Sequence, residues 1–528
     1  MKDNIDWDSE QVVDVLIVGY GPAGATLAAL LGRYGVQTRV IDKLNDILMM
    51  PRAITLDNEA LRVLQMAGLD DQSFARVGIQ EVRMHCPYVG EFGRVNTRGT
   101  IDGHPKLITF FQPDLEHALR RQVAALDTVT VTTEMELMDL QQYAEGVVAT
   151  VKDAQGQQQT IQARYLVGAD GAGSRVRGLI GQSFEGETYA EDWLIVDALR
   201  RGEDRIDHVE FICDPRRPTP HMPAPGGRER WEFMLHPHEK SDDLEQPEKL
   251  AELLAPWAKP GEMTIERQAV YRFHARCCDS FQKDRVFLVG DAAHITPPFV
   301  GQGLVAGLRD VANLAWKLAW VVQGKAKPAI LDSYDTERQP HARKMIQLAR
   351  LMGKMVMPVS AIRAVALHGV MKGLRLVPPL RTYIEELKIK PANQFRKGIF
   401  CKGKKRTGLV RGAQLPQEWV RTDQGLQLSD DVLGDRLMLV GLGVDPKARL
   451  DAETCKRWTA AGGQFLQLGW RGQRPESDTE FAEIMGNGLS LGAPAGWLVV
   501  VRPDRVIMLD GAPGDAGQLV RQTLAVLC

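Results

Sequence analysis

The chain has few cysteines, and their spacing indicates no cross-links. It carries seven in 528 residues, an odd number, with no C-x-x-C pair. This usage disfavours both a disulfide framework and a tetrahedral zinc site, so we expect no metal centre. The acidic start MKDNIDWDSEQ also lacks the basic and apolar regions of a secretory signal. We therefore predict a protein of the reducing cytoplasm.

A dominant sign of charge is also missing. Sixty-five Lys and Arg against 67 Asp and Glu give a formal net charge of -2, so no basic field attracts nucleic acid or anionic lipid. The longest apolar stretch, from Val300 to Val322, contains Arg309, Asp310 and Lys317. Three charges are costly inside a bilayer, so we predict a buried helix and no membrane span. Small-molecule chemistry is the expected class of activity.

The composition, with 44% hydrophobic and 25% charged residues, is typical of a globular protein. The run VVDVLIV at 12–18 predicts a strand of a parallel sheet, followed by a helix in ATLAALLGRYG and a second strand in VQTRVID. Two later segments, ARYLVGADG at 163–171 and DRVFLVGDAAH at 284–294, also predict strands that end in Gly-Asp. Ligands bind at the carboxyl ends of such strands, so we expect these ends to converge.

A glycine-rich turn connects the first strand to its helix. Gly19, Gly21 and Gly24 form G-x-G-x-x-G, and Asp42 ends the next strand. Glycines let the backbone approach a pyrophosphate, the helix start offers unpaired N–H groups, and the carboxylate can accept from ribose hydroxyls. The pattern predicts a dinucleotide site, and the acidic Asp42 favours FAD or NAD over a 2′-phosphorylated nucleotide.

Two later motifs complete a family pattern. GADGAGSRVR contains Asp170, and VGDAAHITPPFVGQGLVAG contains Asp291, Pro298, Gly301 and Gly303. With the first motif, these segments resemble the three fingerprints of FAD-dependent aromatic hydroxylases, the single-component flavoprotein monooxygenases, over about residues 12 to 345. Within that family the chain is most similar to the 3-(3-hydroxyphenyl)propionate hydroxylases, through PRAITLDNEALRVLQMAGL, FFQPDLEHALR, RERWEFMLHP and LDSYDTERQPHA.

The resemblance implies roles for several residues. Arg52 and Gln112 would contact the cofactor, although a helix-end hydrogen bond is an alternative for both. Asp170 would face flavin and pyridine nucleotide, and Asp291 would hold the ribityl or ribose region of FAD. A helix that starts near Gly301 would direct its N-terminal N–H groups at a ligand beside Pro298 to Gly303. Its positive dipole end there would favour the anionic edge of a reduced flavin.

We predict an α/β fold with three parts. They are a Rossmann-like FAD-binding domain, an inserted and mainly antiparallel substrate-domain sheet, and a thioredoxin-like C-terminal domain implied by resemblance to phenol-hydroxylase relatives. The predicted FAD-binding domain covers 1–87, 107–190 and 280–345, the substrate-binding domain 88–106 and 191–279, a helical segment and linker 346–400, and the C-terminal domain 401–528. No dithiol activity is expected in the last part.

The implied reaction uses NADH or NADPH, and O2, to hydroxylate a phenolic acid through a flavin C4a-hydroperoxide. The substrate expected from the resemblance is 3-(3-hydroxyphenyl)propionate or 3-hydroxycinnamate, with a 2,3-dihydroxy product. A phenol reacts best as phenolate, so a proton acceptor is expected near it. Asp57, His221 and Tyr271 are the candidates, each with a structural role as the alternative.

Trp231 and Phe233 alternate with Glu232 and could place two aromatic faces toward the substrate, or toward the core. Arg230 could hold a substrate carboxylate or lie at the surface. Another phenol, a resorcinol or a polyketide is an alternative substrate, and a non-catalytic flavin-binding interaction protein is an alternative of another class. A homodimer is a further expectation.

Overall fold

The computed structural model describes residues 7, 9, 11–50, 52–201, 206–240, 244, 246–259, 261–386, 388–401, 407–475, 477–486 and 488–527. These residues form a mixed α/β structure with three large sheets, as the sequence predicts. Two of the sheets position the site described below, and the third forms the C-terminal part.

The first sheet has a parallel centre with antiparallel strands at its edges. Its main order is Val129–Thr132, Thr38–Ile41, Val13–Val18, Gln158–Gly168, Val147–Lys152 and Glu136–Gln142, with Val286–Leu288 beside Gln158–Gly168 and Gln282–Lys283 beside Val286–Leu288. The strand Val13–Val18 is parallel to both of its neighbours. Its last four residues are buried, as expected for a strand covered on both faces.

The second sheet is mainly antiparallel. Its order is His294–Ile295, Met263–Cys278, Phe184–Arg200, Arg228–Met234, Thr219–Ala224, Val209–Ile212, Glu81–Cys86 and Gly90–Asn96. The strands Phe184–Arg200 and Met263–Cys278 pair over most of their length. Two small sheets complete this part, one of Thr55–Asp57, Leu107–Phe110 and Arg76–Gly78 and one of Thr100–Ile101 and His104–Pro105.

The α-helices pack around these sheets. They are Pro22–Arg33, Asn58–Met66, Gln112–Ala124, Arg175–Leu179, Pro247–Leu254, Gly303–Val322, Ser333–Val356, Ala361–Leu374, Pro378–Glu385, Ser429–Leu433, Ala452–Ala460, Gly488–Gly492 and Ala516–Leu527. The predicted buried helix is Gly303–Val322, in which Arg309, Asp310 and Lys317 are buried with ionic partners. Among the described residues no single helix is both long and apolar enough to cross a membrane, although the bent pair Pro328–Val356 and Ala361–Leu374 passes that test jointly.

The third sheet builds the thioredoxin-like C-terminal domain that the family resemblance implies. Its order is Gly425–Leu428, Trp419–Thr422, Glu480–Ile484, Gly463–Gly469, Leu437–Leu442, Leu498–Val501 and Ile507–Gly511. Leu437–Leu442 is parallel to Gly463–Gly469. Leu498–Val501 is antiparallel to both of its neighbours, Leu437–Leu442 and Ile507–Gly511. The helix Ala452–Ala460 connects the parallel pair, and Ala516–Leu527 follows the last strand.

Buried ion pairs join this domain to the rest of the chain. Arg62 makes a two-pronged contact with Asp430, at 2.7 and 2.8 Å, and both side chains are almost fully buried. The carboxylate of Glu337 forms ion pairs with Lys317, at an N···O distance of 2.8 Å, and with Arg502, at 2.7 Å. A buried charge that loses its partner is costly, so these pairs fix the position of the domain.

Candidate active site

Three strand ends of the first sheet converge, and glycines allow their close approach. Gly19 has a φ of +106°, and a Cβ there would lie 2.4 Å from the carbonyl oxygen of Ala169. A Cβ on Gly24 would lie 2.0 Å from the carbonyl oxygen of Gly19. The third strand end reaches the same place, because the N–H of Val289 donates to the carbonyl of Gly168 at 3.0 Å. Packing therefore requires glycine at positions 19 and 24, where a side chain would collide with the backbone.

A large cavity of about 1230 Å³ opens at these strand ends. Most of the residues predicted to bind a cofactor line it, namely Gly19, Gly21, Asp42, Arg52, Gln112, Asp170, Asp291, Pro298, Gly301 and Gly303. Gly24 lies beneath the turn and supports it. The volume exceeds the roughly 300–1,000 Å³ of a pocket for one drug-sized ligand, so the cavity has room for a dinucleotide and a second small molecule.

The turn from Gly19 to Gly24, called the glycine cradle below, is open toward the cavity. Among the described residues, apart from Gly21 and its two chain neighbours, no atom lies within 4 Å of the place where a Cβ on Gly21 would stand. The helix Pro22–Arg33 begins at this residue without a side-chain cap and with no acidic residue in its first turn. Unpaired N–H groups and a positive helix end are what a pyrophosphate requires, so the cradle fits the phosphates of FAD.

Two carboxylates at the cavity wall organise the local backbone. Asp42 accepts hydrogen bonds from the N–H groups of Tyr20 at 2.6 Å and Leu44 at 2.7 Å. Asp170 accepts from the hydroxyl of Ser174 at 2.5 Å and from the N–H of Arg175 at 2.7 Å. Burial raises the pKa of Asp170, and these hydrogen bonds oppose that rise. The ends of the second strand and of the Asp170 loop are thus held in place.

The Gln112 side chain holds the backbone of the Arg52 segment. The Gln112 Oε1 accepts from the N–H groups of Arg52 and Ala53 at 2.9 Å each, and its Nε2 donates to Glu116 at 2.8 Å. This is the structural hydrogen bond that the sequence left as an alternative. Both residues line the cavity as well. Burial raises the pKa of Asp291, and the positive charge of Arg52 opposes that rise.

The start of the helix Gly303–Val322 is held by an ionic cluster around Asp57. The Nε2 of Gln302 donates to Asp57 at 3.0 Å, and the guanidinium of Arg309 lies 3.1 Å from the same carboxylate. Lys390 adds contacts of 2.7 Å to Asp57 and 3.1 Å to Glu59. Asp57 also caps the helix Asn58–Met66 by accepting from the N–H of Ala60 at 2.9 Å.

Asp57, one of the predicted proton acceptors, is therefore committed to ion pairs. Burial raises its pKa, but the charges of Lys390 and Arg309 outweigh burial and hold the pKa below the usual value. A carboxylate with a lowered pKa is a weak base. The position of Asp57 at the cavity wall suits a role in holding the helix start beside Gln302.

The second sheet faces the cavity with a polar cluster. Asp197 lies at the centre, in contact with Arg230 at 2.6 Å and Arg267 at 2.8 Å. Arg267 also donates to the hydroxyl of Tyr271 at 2.5 Å. Tyr271, Arg267 and Glu232 line the cavity. Arg230 is buried against Asp197 and donates to the carbonyl of Arg52 at 3.1 Å, so it connects the sheet to the loop of Arg52.

Trp231 and Phe233 lie on the opposite face of the same strand. They are buried with Leu250 and Leu254 of the helix Pro247–Leu254, which covers that face. His221 lies there too, stacked on Trp231 with ring centroids 4.6 Å apart, and its Nε2 is 2.8 Å from Glu229. Alternate residues of a strand point to opposite faces, so these three side chains are directed away from the cavity.

Several residues of the site lie outside any sequence motif and were not predicted as site residues. Arg267, Glu232 and Lys390 line the cavity, and Asp197 lies behind them. The sequence signal for Glu232 is the alternation of polar and apolar residues in RERWEFM. The face with Trp231 and Phe233 is apolar and must be buried, so the opposite face with Glu232 is the one that can line a cavity. Apolar side chains complete the wall, among them Met84, Phe211, Met222, Phe273 and Met352.

Comparisons with known proteins agree with this arrangement. Residues 12–349 match the family described as FAD binding domain, and residues 412–526 match the HcaD C-terminal domain. The chain is 37% identical over 525 residues to 3-(3-hydroxy-phenyl)propionate/3-hydroxycinnamic acid hydroxylase 2 of Burkholderia vietnamiensis (strain G4 / LMG 22486), covering 97% of this chain and 96% of that protein. It is 34% identical over 575 residues to the hydroxylase of the same description from Comamonas testosteroni, covering 98% of each.

Solved structures share the fold. The flavin-dependent monooxygenase PieE in complex with FAD and substrate superposes with a TM-score of 0.81 at 22% identity, covering 97% of this chain and 98% of that one. A ternary complex of aklavinone-11 hydroxylase with FAD and aklavinone gives 0.76 at 22% identity, covering 98% and 99%. The fold, the glycine cradle and the family match together identify FAD as the cofactor. The chain therefore belongs to the family of FAD-dependent aromatic hydroxylases that carry the FAD binding domain.

Proposed function

We propose that the chain uses NADH or NADPH, and O2, to hydroxylate a phenolic acid, 3-(3-hydroxyphenyl)propionate or 3-hydroxycinnamate, to the 2,3-dihydroxy product. The observation that carries this proposal is that one cavity reaches from the glycine cradle to the polar cluster of the second sheet. Relatives of at least 32% identity over nearly the full chain are named for these two substrates, which supports the choice of phenol.

Bound FAD would supply the redox chemistry, by accepting hydride from the pyridine nucleotide and delivering one oxygen atom of O2 to the ring. The chain binds and orients the reactants. Gly19, Gly21 and Gly24 shape the phosphate cradle, and we assign Asp42 to the ribose hydroxyls and Asp291 to the ribityl or ribose region. The segment of Pro298, Gly301 and Gly303 contributes the helix start beside the ring system.

On the substrate side we assign Tyr271 as the residue that contacts the substrate. Its hydroxyl accepts a hydrogen bond from Arg267 and can donate one to a substrate oxygen. We assign Asp57 as a positioning residue, because it holds Gln302 at the start of the long helix. The apolar wall, with Phe211, would exclude water from the ring.

A substrate panel tests this function. Purified protein is mixed with hydroxyphenyl acids, other phenols and resorcinol, and NADH or NADPH oxidation is followed together with product mass. We expect 3-(3-hydroxyphenyl)propionate to accelerate oxidation and to gain one oxygen atom. Stimulation by another phenol alone would replace the substrate, and flavin binding without stimulation by any phenol would favour a non-catalytic interaction protein.

We also propose that two copies of the chain associate through their exposed apolar helices. Ile362 and Leu376 each expose 84% of their surface and Val359 exposes 79%, on or beside the helix Ala361–Leu374, which packs at the edge strand Gly90–Asn96. Several highly exposed large apolar side chains within one short segment are typical of an interaction site. Light scattering should give the mass of a dimer, and the double change Ile362→Glu with Leu376→Glu should give a monomer. A cytoplasmic location, expected from the cysteine usage, is likewise part of the proposal.

A further inference from the structure

Glu232 is a buried carboxyl group on the cavity wall that the assigned chemistry does not use. It exposes 7% of its surface and lines the cavity on the face of the strand opposite Trp231. Within the part of the chain that the structure describes, its carboxyl oxygens have no hydrogen-bond or ion-pair partner, whereas Asp197 on the next strand has two arginines. A carboxyl group that faces a cavity and has no protein partner is available to a ligand bound there.

The strand register places charged groups around it. Glu232 is opposite Ile195, and Asp197 is opposite both Arg230 and Arg267. Tyr271 follows on the same face as Arg267, and the loop carbonyl of Arg52 receives a hydrogen bond from Arg230. With two arginines and one aspartate, this wall has one net positive charge when Glu232 is neutral and none when Glu232 is ionised.

Burial sets the protonation of this group. Burial raises the pKa of Glu232 to about 7; Arg230 and Arg267 oppose that rise and Asp197 adds to it. A carboxyl group in this state is largely protonated below neutral pH and can donate one hydrogen bond. Its ionisation therefore falls within the working range of an enzyme.

We propose that protonated Glu232, together with Arg267, forms the subsite for the carboxylate of an aromatic acid, so that substrate binding and protonation of Glu232 are coupled. Arg267 supplies the compensating charge, and the neutral carboxyl of Glu232 donates a hydrogen bond to the carboxylate. The inference rests on the proposed function and adds to it the group that recognises the acid and the pH at which recognition fails.

The coupling has a definite sign. When Glu232 is ionised, an incoming carboxylate meets a second negative charge in a buried site, so binding requires uptake of a proton. Affinity for the acid therefore falls as the pH rises through the pKa of Glu232. If the ionised form does not bind, the dissociation constant becomes about tenfold larger per pH unit above that pKa. A neutral ligand has no such dependence.

Binding titrations of the FAD-loaded protein test the proposal without turnover. The probes are 3-(3-hydroxyphenyl)propionate and its primary amide, followed by the change in the flavin absorption spectrum at pH 6 and pH 8. We expect the acid to bind about tenfold more weakly at pH 8 than at pH 6, with the amide unchanged. Calorimetry in buffers of different ionisation enthalpy should show that the protein takes up a proton when it binds the acid above the pKa of Glu232, and none when it binds the amide.

Two variants locate the effect. Glu232→Gln keeps a neutral hydrogen-bond donor, so it should bind the acid with the same affinity at both pH values. Glu266→Gln changes an exposed carboxylate on the strand Met263–Cys278 whose partner is Arg228, and it should keep the wild-type pH dependence. The proton-uptake measurement uses the wild-type protein and holds even if Glu232→Gln does not fold.

The outcomes separate this inference from the proposed function. Binding and hydroxylation of the acid with equal affinity at pH 6 and pH 8, and with no proton uptake, would overturn the role of Glu232 and leave the hydroxylase intact. The same pH dependence in Glu232→Gln as in wild type would also overturn it. No binding of any phenolic acid at either pH would contradict the proposed function itself.

Discussion

The glycine cradle of the first sheet and the cavity face of the second sheet form one cavity by different means. In the cradle, the backbone makes the site: Gly19 and Gly24 have no room for a side chain, because Ala169 and the turn itself pack against them. On the second sheet, side chains make the site, and Asp197 holds two arginines in place. The cradle suits a cofactor shared by a whole family, whereas the second sheet can change its ligand by changing single side chains.

The largest expected effect breaks the cradle. In Gly24→Ala the new Cβ would lie 2.0 Å from the carbonyl oxygen of Gly19, so the turn must move and bound FAD should be lost. Gly21→Ala is the matched variant, since in the described part of the chain its Cβ would meet no atom within 4 Å beyond its two chain neighbours. It should fold with wild-type stability and have reduced FAD affinity only. Flavin absorbance per protein and thermal unfolding of the apoprotein distinguish the two, and equal stability of both variants would refute this account of Gly24.

The ionic cluster that joins the two regions should give the next largest effect. Lys390→Met leaves Asp57 and Glu59, both largely buried, with Arg309 as their charge partner. Removal of one partner from a buried ion pair costs about 3–5 kcal/mol, and the 20% exposure of the Lys390 side chain reduces the expected loss to about 2–3 kcal/mol. Denaturant unfolding measures it, with the exposed Lys388→Met as control; equal losses in both variants would disprove the role of the cluster.

The same cluster predicts a dependence of stability on pH. Burial raises the pKa of Asp57, but Lys390 and Arg309 outweigh it and the pKa is lowered overall. A carboxylate with a lowered folded pKa stabilises the protein above its unfolded pKa of about 4 and loses that contribution as the pH falls through the folded value. The stability difference between wild type and Lys390→Met should therefore be full at pH 7 and shrink below about pH 4. A constant difference would show that charge is not the cause.

A change on the cavity face should affect catalysis and leave the cofactor in place. Tyr271→Phe removes the hydroxyl that Arg267 contacts. We expect kcat/KM for the phenolic acid to fall about tenfold, or 1.4 kcal/mol, for one lost hydrogen bond to the substrate. FAD content should equal that of wild type. Unchanged kcat/KM would show that the Tyr271 hydroxyl does not contact the substrate.

The smallest effect is expected on the opposite face of the same sheet. Trp231→Phe replaces a fully buried side chain that stacks on His221. It should lower the free energy of unfolding by about 1 kcal/mol and leave the dissociation constant of the phenolic acid unchanged. A large loss of substrate affinity with normal stability would place Trp231 in the site after all.

The cradle could be predicted from the sequence because its motif describes backbone. Gly19, Gly21 and Gly24 stand between a strand and a helix, and Asp42 ends the next strand, so local order alone defines the site. The convergence of the Asp170 and Asp291 segments followed from the rule that parallel strands end at one edge. The fold class, with its inserted antiparallel sheet and thioredoxin-like end, was predicted by the same signals and by resemblance.

The cavity face could not be predicted because it depends on distant contacts. Alternation in RERWEFM defines two faces of a strand, and only the covering helix Pro247–Leu254 decides which one is buried. Lys390 lies 333 residues from Asp57 in sequence, in a segment expected to be a linker. The same segment holds a further short helix, Pro378–Glu385, which begins at a proline after the helix Ala361–Leu374 has ended, because proline is well suited to the first turn.

The domain boundaries stay a prediction. Strand membership favours a second-sheet segment that begins at Glu81–Cys86, earlier than residue 88, because this strand pairs with Val209–Ile212. The pairing is between residues far apart in sequence, which no local pattern reports.

One titration tests the central claim, that the cradle and the second sheet share a cavity around FAD. The purified protein is examined for flavin absorbance and then titrated with 3-(3-hydroxyphenyl)propionate. The account predicts one FAD per chain and a saturable shift of the flavin bands, because the acid binds beside the ring system. A protein without affinity for FAD, or a flavin spectrum that no phenolic acid changes, would contradict it.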